Sequence, residues 1–487
     1  MNLRSTSLAL AFLTATTHLL AQAPAQAPAP AVAKYISVKG PRTLLTHVRI
    51  IDGTGAAPLE DQSILIENGT IASISKNAIT SDGTLLLDLS GYTVIPGLVG
   101  MHDHLYNIAR PNFAADGTSD PPLMVPQMSF SSPRMYLAAG VTTIRTTGSV
   151  EPYVDLNLKH AIDHGQLPGP HIDVTGPYLE GSGSPFIQMH PLSGPDDARA
   201  TVAFWADQGA TSFKAYMNIT RAELKAAIEE AHKRGLKVTG HLCSVSYPEA
   251  IELGIDDLEH GFFVNTQLDP NKQADVCPTT YGNATLEKMD PNGPEAAALI
   301  KNLVDHHVAI TSTLPVFESD IPSHLHIQPR VLDAMSPPTR EAYLYIRNLE
   351  LTRPTPNNRA LLYQHDIELE RKFVAAGGLL IAGLDPTGDG GTLPGFGDQR
   401  EVELLVDAGF TPLEAIRIAT LNGAIYLNQQ EHIGSIAVGK NADLVVIKGD
   451  PSTKITDIER VETVFKDGVG YDSAKLFESI KGRYGQY

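Results

Sequence analysis

The sequence predicts an α/β fold, a (β/α)8 TIM barrel that carries a small β-sandwich domain built from both ends of the chain. Three observations predict it. Eight strand-like segments alternate with helical patterns in the middle of the chain, polar residues end several of these strands, and short β segments with turn signals occur at both ends. The 487 residues are 42% hydrophobic and 19% charged, which suffices for one large domain and a smaller one.

The first residues have the pattern of an export signal. Arg4 supplies a positive charge, an apolar run covers 8–21 and small residues follow, so we expect a signal peptide over 1–23. The run is short for a membrane span, and an uncleaved N-terminal anchor is the alternative. Residues 24–36 are rich in Ala and Pro and are expected to form a disordered linker. We therefore expect an exported protein, periplasmic or secreted, with no stable membrane insertion after signal removal.

The β-sandwich is predicted from two separated segments, 37–93 and 432–487. Both contain short β-type runs bounded by turn residues, and the Asn68-Gly69 pair is a strong hairpin signal. The expected strands are 44–51, 63–69, 70–74, 442–447 and 461–468. Strands from opposite ends of the chain would then flank the central domain as one sandwich.

The barrel is predicted over 94–431, where strands and helical patterns alternate. A helix is clearest after Thr220, which forms a capping-box pattern with Glu223 and is followed by Gly235 at the helix end. The expected strands are 94–104, 141–145, 171–176, 211–216, 237–241, 257–260, 308–313 and 379–385. The long connections 261–307 and 314–378 are expected to cover the mouth of the barrel as lids.

Six polar residues of types that bind or support metal ions lie at the ends of five of these strands. They are His102, His104, Lys214, His241, His260 and Asp385. Each alone has an ordinary structural explanation, such as a hydrogen-bonded histidine or a solvated lysine. Because a barrel gathers the carboxyl ends of its strands at one face, their coincidence indicates one shared site. His102 and His104 are two residues apart on a strand and share a side, as metal ligands require.

Several segments around these residues are typical of one enzyme superfamily. They are 96–105, 140–143, 240–241, 258–261 and 382–385, with 416–424 and 434–444 near the C-terminus. In these segments the sequence resembles the amidohydrolase superfamily, and the resemblance covers nearly all of the mature chain. It implies the barrel with a β-sandwich that the strand pattern already predicts.

The resemblance implies the binuclear type of metal site, with two divalent ions that we expect to be zinc. In that type a carboxylated lysine bridges the ions, and Lys214 fits by strand count. Two cations would repel an ammonium group, whereas a carbamate offers an oxygen to each ion. By resemblance His102, His104 and Asp385 hold the more buried ion, and His241 and His260 the more exposed one. The glutamate that deaminases of the superfamily place soon after the His241 position is absent.

The implied function is metal-dependent hydrolysis of an amide C–N bond. The ions would activate a water molecule that attacks the carbonyl, and Asp385 would carry its proton to the leaving nitrogen. The pattern resembles prolidase-like and imidazolonepropionase-like amidohydrolases and carboxypeptidase-like enzymes that act on ochratoxin-type amides. A dipeptide or an N-acyl amino acid is the expected substrate. The alternatives are hydrolysis of cyclic amides or lactones, and a protein that binds a metal or ligand without catalysis.

Other residues have weaker assignments. Tyr216 lies two residues after Lys214, and Tyr106 two after His104, so either hydroxyl is a candidate donor to a substrate carboxylate. His190 is a candidate pocket residue, whereas His324 and His326 are expected in a loop or lid.

Composition limits the partners. The formal net charge of −18 argues against nucleic acid, which requires a basic face. We expect a small-molecule substrate and, independently of the charge, a homo-oligomer. Cys243 and Cys277 are expected to be thiols rather than zinc ligands, and a single bridge between them is left open.

Overall fold

The computed structural model of the chain describes residues 28–77, 81–107, 123–184, 186–321, 324, 327–352, 358–387 and 391–486. The expected signal peptide lies outside these residues. The strands are β1 (Ile36–Val38), β2 (Arg42–Ile50), β3 (Leu59–Glu67), β4 (Thr70–Ser75), β5 (Leu85–Asp88), β6 (Tyr92–Pro96), β7 (Leu98–Gly100), β8 (Val141–Arg145), β9 (His171–Asp173), β10 (Ser212–Ala215), β11 (Lys237–Gly240), β12 (Asp257–Glu259), β13 (Ala309–Ser312), β14 (Leu380–Ala382), β15 (Leu444–Lys448), β16 (Val461–Lys466) and β17 (Val469–Asp472).

The helices alternate with the barrel strands and fill the long connections. They are α1 (Pro30–Ala33), α2 (Ser132–Ala138), α3 (Pro152–Asp163), α4 (Pro195–Gln208), α5 (Arg221–Lys233), α6 (Tyr247–Leu253), α7 (Asn283–Lys288), α8 (Pro294–Asp305), α9 (Leu314–Glu318), α10 (Pro329–Ala334), α11 (Pro337–Thr352), α12 (Arg359–Ala375), α13 (Phe396–Asp407), α14 (Pro412–Arg417), α15 (Gly423–Tyr426) and α16 (Ser473–Ile480). Among the described helices, none combines the length and apolar character needed to cross a membrane.

Strands β7 to β14 form the barrel, and neighbouring strands run parallel. Backbone hydrogen bonds close it at both seams. Thr211 N donates to Val174 O at 2.8 Å between the β9 and β10 regions, and Met101 N donates to Ala382 O at 2.8 Å between the β14 and β7 regions. Side chains of these short strands are buried on both faces, as expected for parallel strands covered by helices. The predicted fold class is confirmed.

The β domain joins both ends of the chain in one folded sheet, in the order β1-β17-β16-β15-β6-β2-β3-β4, with β5 beside β2. Its core includes Leu45, Ile64, Val446 and Phe465. One expected strand, 94–104, is divided in the structure. Its first residues belong to β6, which pairs with β15 in this sheet, and only β7 belongs to the barrel. The chain changes sheets at Gly97, where a Cβ atom would lie 2.0 Å from the Thr142 hydroxyl oxygen.

The long connections contain helices of their own. The connection after β12 contains α7 and α8, and the one after β13 contains α9 to α12. Phe317 of α9 stacks on Phe263 at 3.7 Å between ring centroids and lies 5.7 Å from the His260 ring. These connections therefore supply one wall beside the predicted site.

The N-terminal stretch differs from the expected linker where it is described. Residues 30–33 form α1, Val32 is buried, and Ala29 N donates to Gly165 O at 3.0 Å. The apolar side chain of Val32 and the pairing of β1 with β17 attach this stretch to the rest of the protein.

Candidate active site

The six predicted metal-site residues converge at the carboxyl ends of the barrel strands. His102 and His104 follow β7, Lys214 lies in β10, and His241, His260 and Asp385 follow β11, β12 and β14 closely. His102, His104, Lys214 and His260 are each at most 2% exposed. The mouth of the barrel therefore holds four imidazoles, one amine and one carboxylate in a largely buried space.

The Asp385 carboxylate lies among three of the imidazoles. Its Oδ1 is 3.3 Å from His104 Nε2 and 3.7 Å from His102 Nε2, and its Oδ2 is 4.0 Å from His260 Nε2. Two ligands that each lie about 2.0–2.1 Å from a tetrahedral metal ion are separated by roughly 3.3 Å. His102, His260 and Asp385 each offer a ligand atom within 4.8 Å of the other two, a spacing that could hold an ion, and His104 adjoins the same carboxylate.

His260 has a ligand atom without a partner. Its Nδ1 lies 2.9 Å from Thr313 Oγ1, whereas its Nε2 is buried and makes no hydrogen bond within the described part of the chain. Its ring is 4.4 Å from the His102 ring and 4.5 Å from the His241 ring, measured between centroids. Buried polar atoms normally have a partner, so this nitrogen indicates a bound group such as a metal ion.

Lys214 is buried beside the same imidazoles. Its Nζ lies 3.0 Å from His102 Nε2, the nitrogen that would bind the ion. Burial lowers the pKa of this ammonium to about 8, with further effects from nearby charges. Neutral amine is the form that reacts with CO2, and the position fits a lysine that bridges two ions as a carbamate.

The protonation states favour metal binding. Burial lowers the pKa of His102 and His260 well below the usual range, and it lowers the pKa of His241 to about 3. For Asp385 burial acts in the opposite direction, but His102, His104 and Lys214 outweigh it, so its pKa lies well below the usual range. At neutral pH the imidazoles are neutral and Asp385 is ionised, which is the state that coordinates metal.

Two of these residues have unusual backbone conformations. His260 and Asp385 have φ angles of 67° and 49°, in the left-handed region that residues other than glycine rarely adopt. Such conformations concentrate at functional sites. The neighbouring Gly383 permits close packing, because a Cβ atom there would lie 2.4 Å from the backbone nitrogen of His102.

A buried ionic network beneath the site was not among the sequence candidates. Glu259 Oε2 lies 2.7 Å from His102 Nδ1, and its Oε1 accepts from Arg145 Nη2 at 2.9 Å. The same guanidinium nitrogen donates to Asp257 Oδ2 at 2.8 Å. A carboxylate on the second imidazole nitrogen fixes the tautomer that offers Nε2 to a metal. The sequence feature that could have indicated this network is the presence of Arg145, Asp257 and Glu259 within short strands. Asp257 and Glu259 are two residues apart, so their side chains lie on the same side of the strand.

Three tyrosines form a wall next to the imidazoles. Tyr106 stacks on His104 with 4.4 Å between centroids, and its hydroxyl is hydrogen-bonded to that of Tyr178, which sequence reasoning missed. Tyr216 lies 5.0 Å from the His241 ring and 4.8 Å from the Tyr178 ring. The Tyr216 side chain is half-buried, and its hydroxyl makes no hydrogen bond to another described residue.

The other candidate histidines are not brought into this cluster. The His190 side chain is 57% exposed, and its Nε2 lies 3.0 Å from Asp197 Oδ2 near the start of α4. The expected role of His190 as a pocket residue is therefore not supported by its position. His324 packs its ring 5.9 Å from that of Tyr363, and His326 lies outside the described residues.

The two cysteines form a disulfide rather than remaining thiols. Cys243 lies two residues after His241, and Cys277 belongs to the connection after β12. Sequence could not decide this point because the two positions are 34 residues apart and meet only through the fold of that connection. The bond ties the loop that bears His241 to the connection that follows His260.

The comparisons with known proteins agree with this architecture. The sequence matches the model of the Amidohydrolase family over residues 93–470. A dihydroorotase from Trichlorobacter lovleyi is 32% identical over 112 residues, which are 23% of this chain and 23% of that protein. An imidazolonepropionase from Parabacteroides distasonis is 43% identical over 65 residues, which are 12% of this chain and 15% of that protein. The chain thus matches less than a quarter of the length of these curated relatives.

Solved structures are similar over much more of the chain. A Xaa-Pro dipeptidase with bound methionine superposes with a TM-score of 0.65 at 23% identity, covering 88% of this chain and 100% of the other. An ochratoxinase from A. niger superposes with a TM-score of 0.63 at 18% identity, covering 92% and 100%. At these identities the likeness shows the fold, while the family match spans well over half of the sequence. The chain therefore belongs to the amidohydrolase family.

Proposed function

We propose that this protein is a metal-dependent hydrolase of amide C–N bonds, acting on a dipeptide or an N-acyl amino acid. The observation that carries the proposal is the convergence of His102, His260 and Asp385 with His104, Lys214 and His241 at the barrel mouth. Neutral imidazoles and an ionised carboxylate are the protonation states that coordinate a metal ion. Their arrangement around a buried amine supports a metal site.

The residues fit two divalent ions, for which zinc is the proposed metal because imidazole and carboxylate ligands suit it. His102, His104 and Asp385 would hold one ion, and His241 and His260 the other. Lys214, carboxylated at Nζ, would contribute an oxygen to each. The unpartnered His260 Nε2 supports this fit. When bound, such ions polarise a carbonyl and acidify a water molecule.

Asp385 is the proposed general base and acid. Its carboxylate is ionised and can accept a proton from the attacking water, then deliver it to the leaving nitrogen. Its position is fixed by the backbone, because Asp385 N donates to His102 O at 2.9 Å. This hydrogen bond keeps the Asp385 backbone beside His102.

Tyr216 is the proposed donor to a substrate carboxylate. Its hydroxyl is free of hydrogen bonds to other described residues, whereas that of Tyr106 is engaged by Tyr178. The ring lies 5.0 Å from that of His241, a proposed ligand of the more exposed ion. A carboxylate anchor here suits a dipeptide or an N-acyl amino acid, and similar folds include a Xaa-Pro dipeptidase and an ochratoxinase.

The test is amine release by the zinc-loaded mature protein from a panel of dipeptides, including Xaa-Pro, and of N-acyl amino acids. We expect turnover of a subset, which disappears on chelation and returns with zinc. A His241→Ala variant is the matched control, because it removes one ligand and should be inactive on every panel member. A panel that stays silent although metal is bound would contradict linear amides as substrates. Cyclic amides and lactones would then be tested, since the proteins that match part of this sequence include a dihydroorotase and an imidazolonepropionase.

We also propose that the mature protein is exported and forms a homo-oligomer. The disulfide supports an oxidising compartment for folding. Protease protection in intact cells and light scattering of the purified protein test these two proposals.

A further inference from the structure

A second group of metal-binding side chains lies at the opposite end of the barrel. His171 is the first residue of β9, at the amino end of the strand, whereas the candidate active site lies at the carboxyl ends. Asp443 precedes β15 and Asp467 lies in the turn between β16 and β17, so both belong to the β domain. One ligand atom from each of the three residues lies within 4.8 Å of the others.

The distances between these atoms are those expected around a shared ion. His171 Nε2 lies 3.2 Å from Asp467 Oδ2 and 3.7 Å from Asp443 Oδ2. Two ligands on a tetrahedral zinc ion are separated by roughly 3.3 Å, which falls between these values. Both His171 Nε2 and Asp443 Oδ2 are buried atoms that make no hydrogen bond within the described residues.

The surroundings hold this group in place. The Asp443 side chain is only 3% exposed, and its Oδ1 accepts from Asp467 N at 2.7 Å, which orients Oδ2 towards the imidazole. The Asp467 side chain is half exposed, so solvent can reach the remaining coordination position. The nearby cation is Lys466, whose Nζ is 3.9 Å from Asp467 Oδ2, and it neutralises part of the charge of the two carboxylates.

We propose that His171, Asp443 and Asp467 bind a divalent ion of the zinc class that fastens the barrel to the β domain. An imidazole nitrogen with two carboxylate oxygens is a ligand set for zinc and not for calcium or magnesium, which prefer oxygen alone. A water molecule completes the tetrahedron from the exposed side. This site stands apart from the proposed catalytic ions and does not depend on them.

The test counts bound zinc. Full-length mature protein is stripped with a chelator, dialysed against buffered zinc and analysed by mass spectrometry for metal content. His171→Ala should bind one equivalent fewer than the wild type. Asp467→Asn should bind at this site at least tenfold more weakly, and it keeps the turn because asparagine tolerates the φ of 50° found there. Zinc should raise the Tm of the wild type more than that of either variant.

His232→Ala is the matched control, because His232 is also a histidine paired with an aspartate, Asp256, at 2.9 Å but with no second carboxylate among its salt bridges. It should bind as much zinc as the wild type. Equal zinc content in the wild type, His171→Ala and Asp467→Asn would overturn the proposal and leave an ordinary ion pair. If the catalytic ions are absent but His171→Ala still loses one equivalent, only the proposed function fails.

Discussion

Asp385 combines an ionised carboxylate with a backbone conformation that fixes its direction. Three imidazole nitrogens lie within 4.0 Å of its oxygens. Asp385→Asn keeps the shape and tolerates the left-handed φ, but it cannot accept and return a proton. We expect kcat to fall by about 10²–10⁴-fold, the usual size of general acid–base catalysis. Steady-state kinetics at saturating zinc measures this effect.

The same variant must also be shown to fold. Its unfolding in urea should remain a single cooperative transition, with a lower free energy of unfolding at neutral pH because the folded protein favours the ionised carboxylate that asparagine lacks. Normal turnover in Asp385→Asn at full metal occupancy would remove this residue from the mechanism.

Tyr216 has a hydroxyl that makes no hydrogen bond to another described residue, and its ring lies 5.0 Å from that of His241. Tyr216→Phe should raise KM for substrates with a free carboxylate by about 10–100-fold, since a hydrogen bond to a charged group contributes roughly 1.5–3 kcal/mol. The kcat should change little. Tyr106→Phe serves as the control, because that hydroxyl already contacts Tyr178. An unchanged KM in Tyr216→Phe would exclude it as the carboxylate donor.

Two acidic side chains on the same side of strand β12 support the site. Asp257 and Glu259 both point into the barrel, where they share Arg145, and Glu259 also orients His102. Glu259→Gln should lower zinc affinity by about 10–100-fold, as the loss of a carboxylate behind a ligand histidine commonly does. Competition with a chromophoric chelator gives the affinity.

Asp257→Asn is the comparison for this strand. It touches the same guanidinium group but makes no contact with His102, so zinc affinity should fall less than in Glu259→Gln. Equal losses in the two variants would mean that the network acts through general stability and not through the imidazole.

The local features of this fold can be predicted from the sequence, whereas contacts between distant segments cannot. All eight barrel strands are predictable because short strand-like segments alternate with helical patterns, and the six polar residues at their ends are visible in the same pattern. The division of 94–104 falls at Pro96-Gly97, a turn-type pair, but the sheet that each half joins depends on pairing with the distant strands β15 and β8. The pairing of Arg145 with Glu259 depends on two strands that are 114 residues apart. Tyr178 lies just beyond the expected strand 171–176, and its contact with Tyr106 joins residues that are 72 positions apart.

Across the whole molecule, several buried carboxyl groups make stability depend on pH. Burial raises the pKa of Glu401 and of Asp366 to about 8. Unfolded carboxyls have pKa values near 4, so the folded protein holds these protons where the unfolded chain has released them. Each such group therefore gives stability that is complete below about pH 4 and is lost, by about 1.4 kcal/mol per pH unit at most, as pH rises towards 8.

Glu401→Gln isolates one of these groups. Its Oε2 accepts from Leu314 N at 2.9 Å, a contact that an amide oxygen preserves. The variant should gain free energy of unfolding over the wild type as pH rises from 5 to 8, measured in urea at constant zinc. Glu287→Gln, on an exposed position of α7, should follow the wild type. Parallel pH profiles for Glu401→Gln and the wild type would contradict this prediction.

The Cys243–Cys277 bond has a consequence for how the protein must be made. The segment that it closes contains Glu259 and His260, so one metal ligand and its support lie inside a covalent loop. Chains synthesised in a reducing cytosol would lack this disulfide, so the segment that contains His260 would have no covalent constraint between residues 243 and 277. Recombinant batches from reducing and oxidising hosts should therefore differ in zinc retention although their sequences are identical. Thiol content belongs beside metal content in the quality control of any preparation used for kinetics.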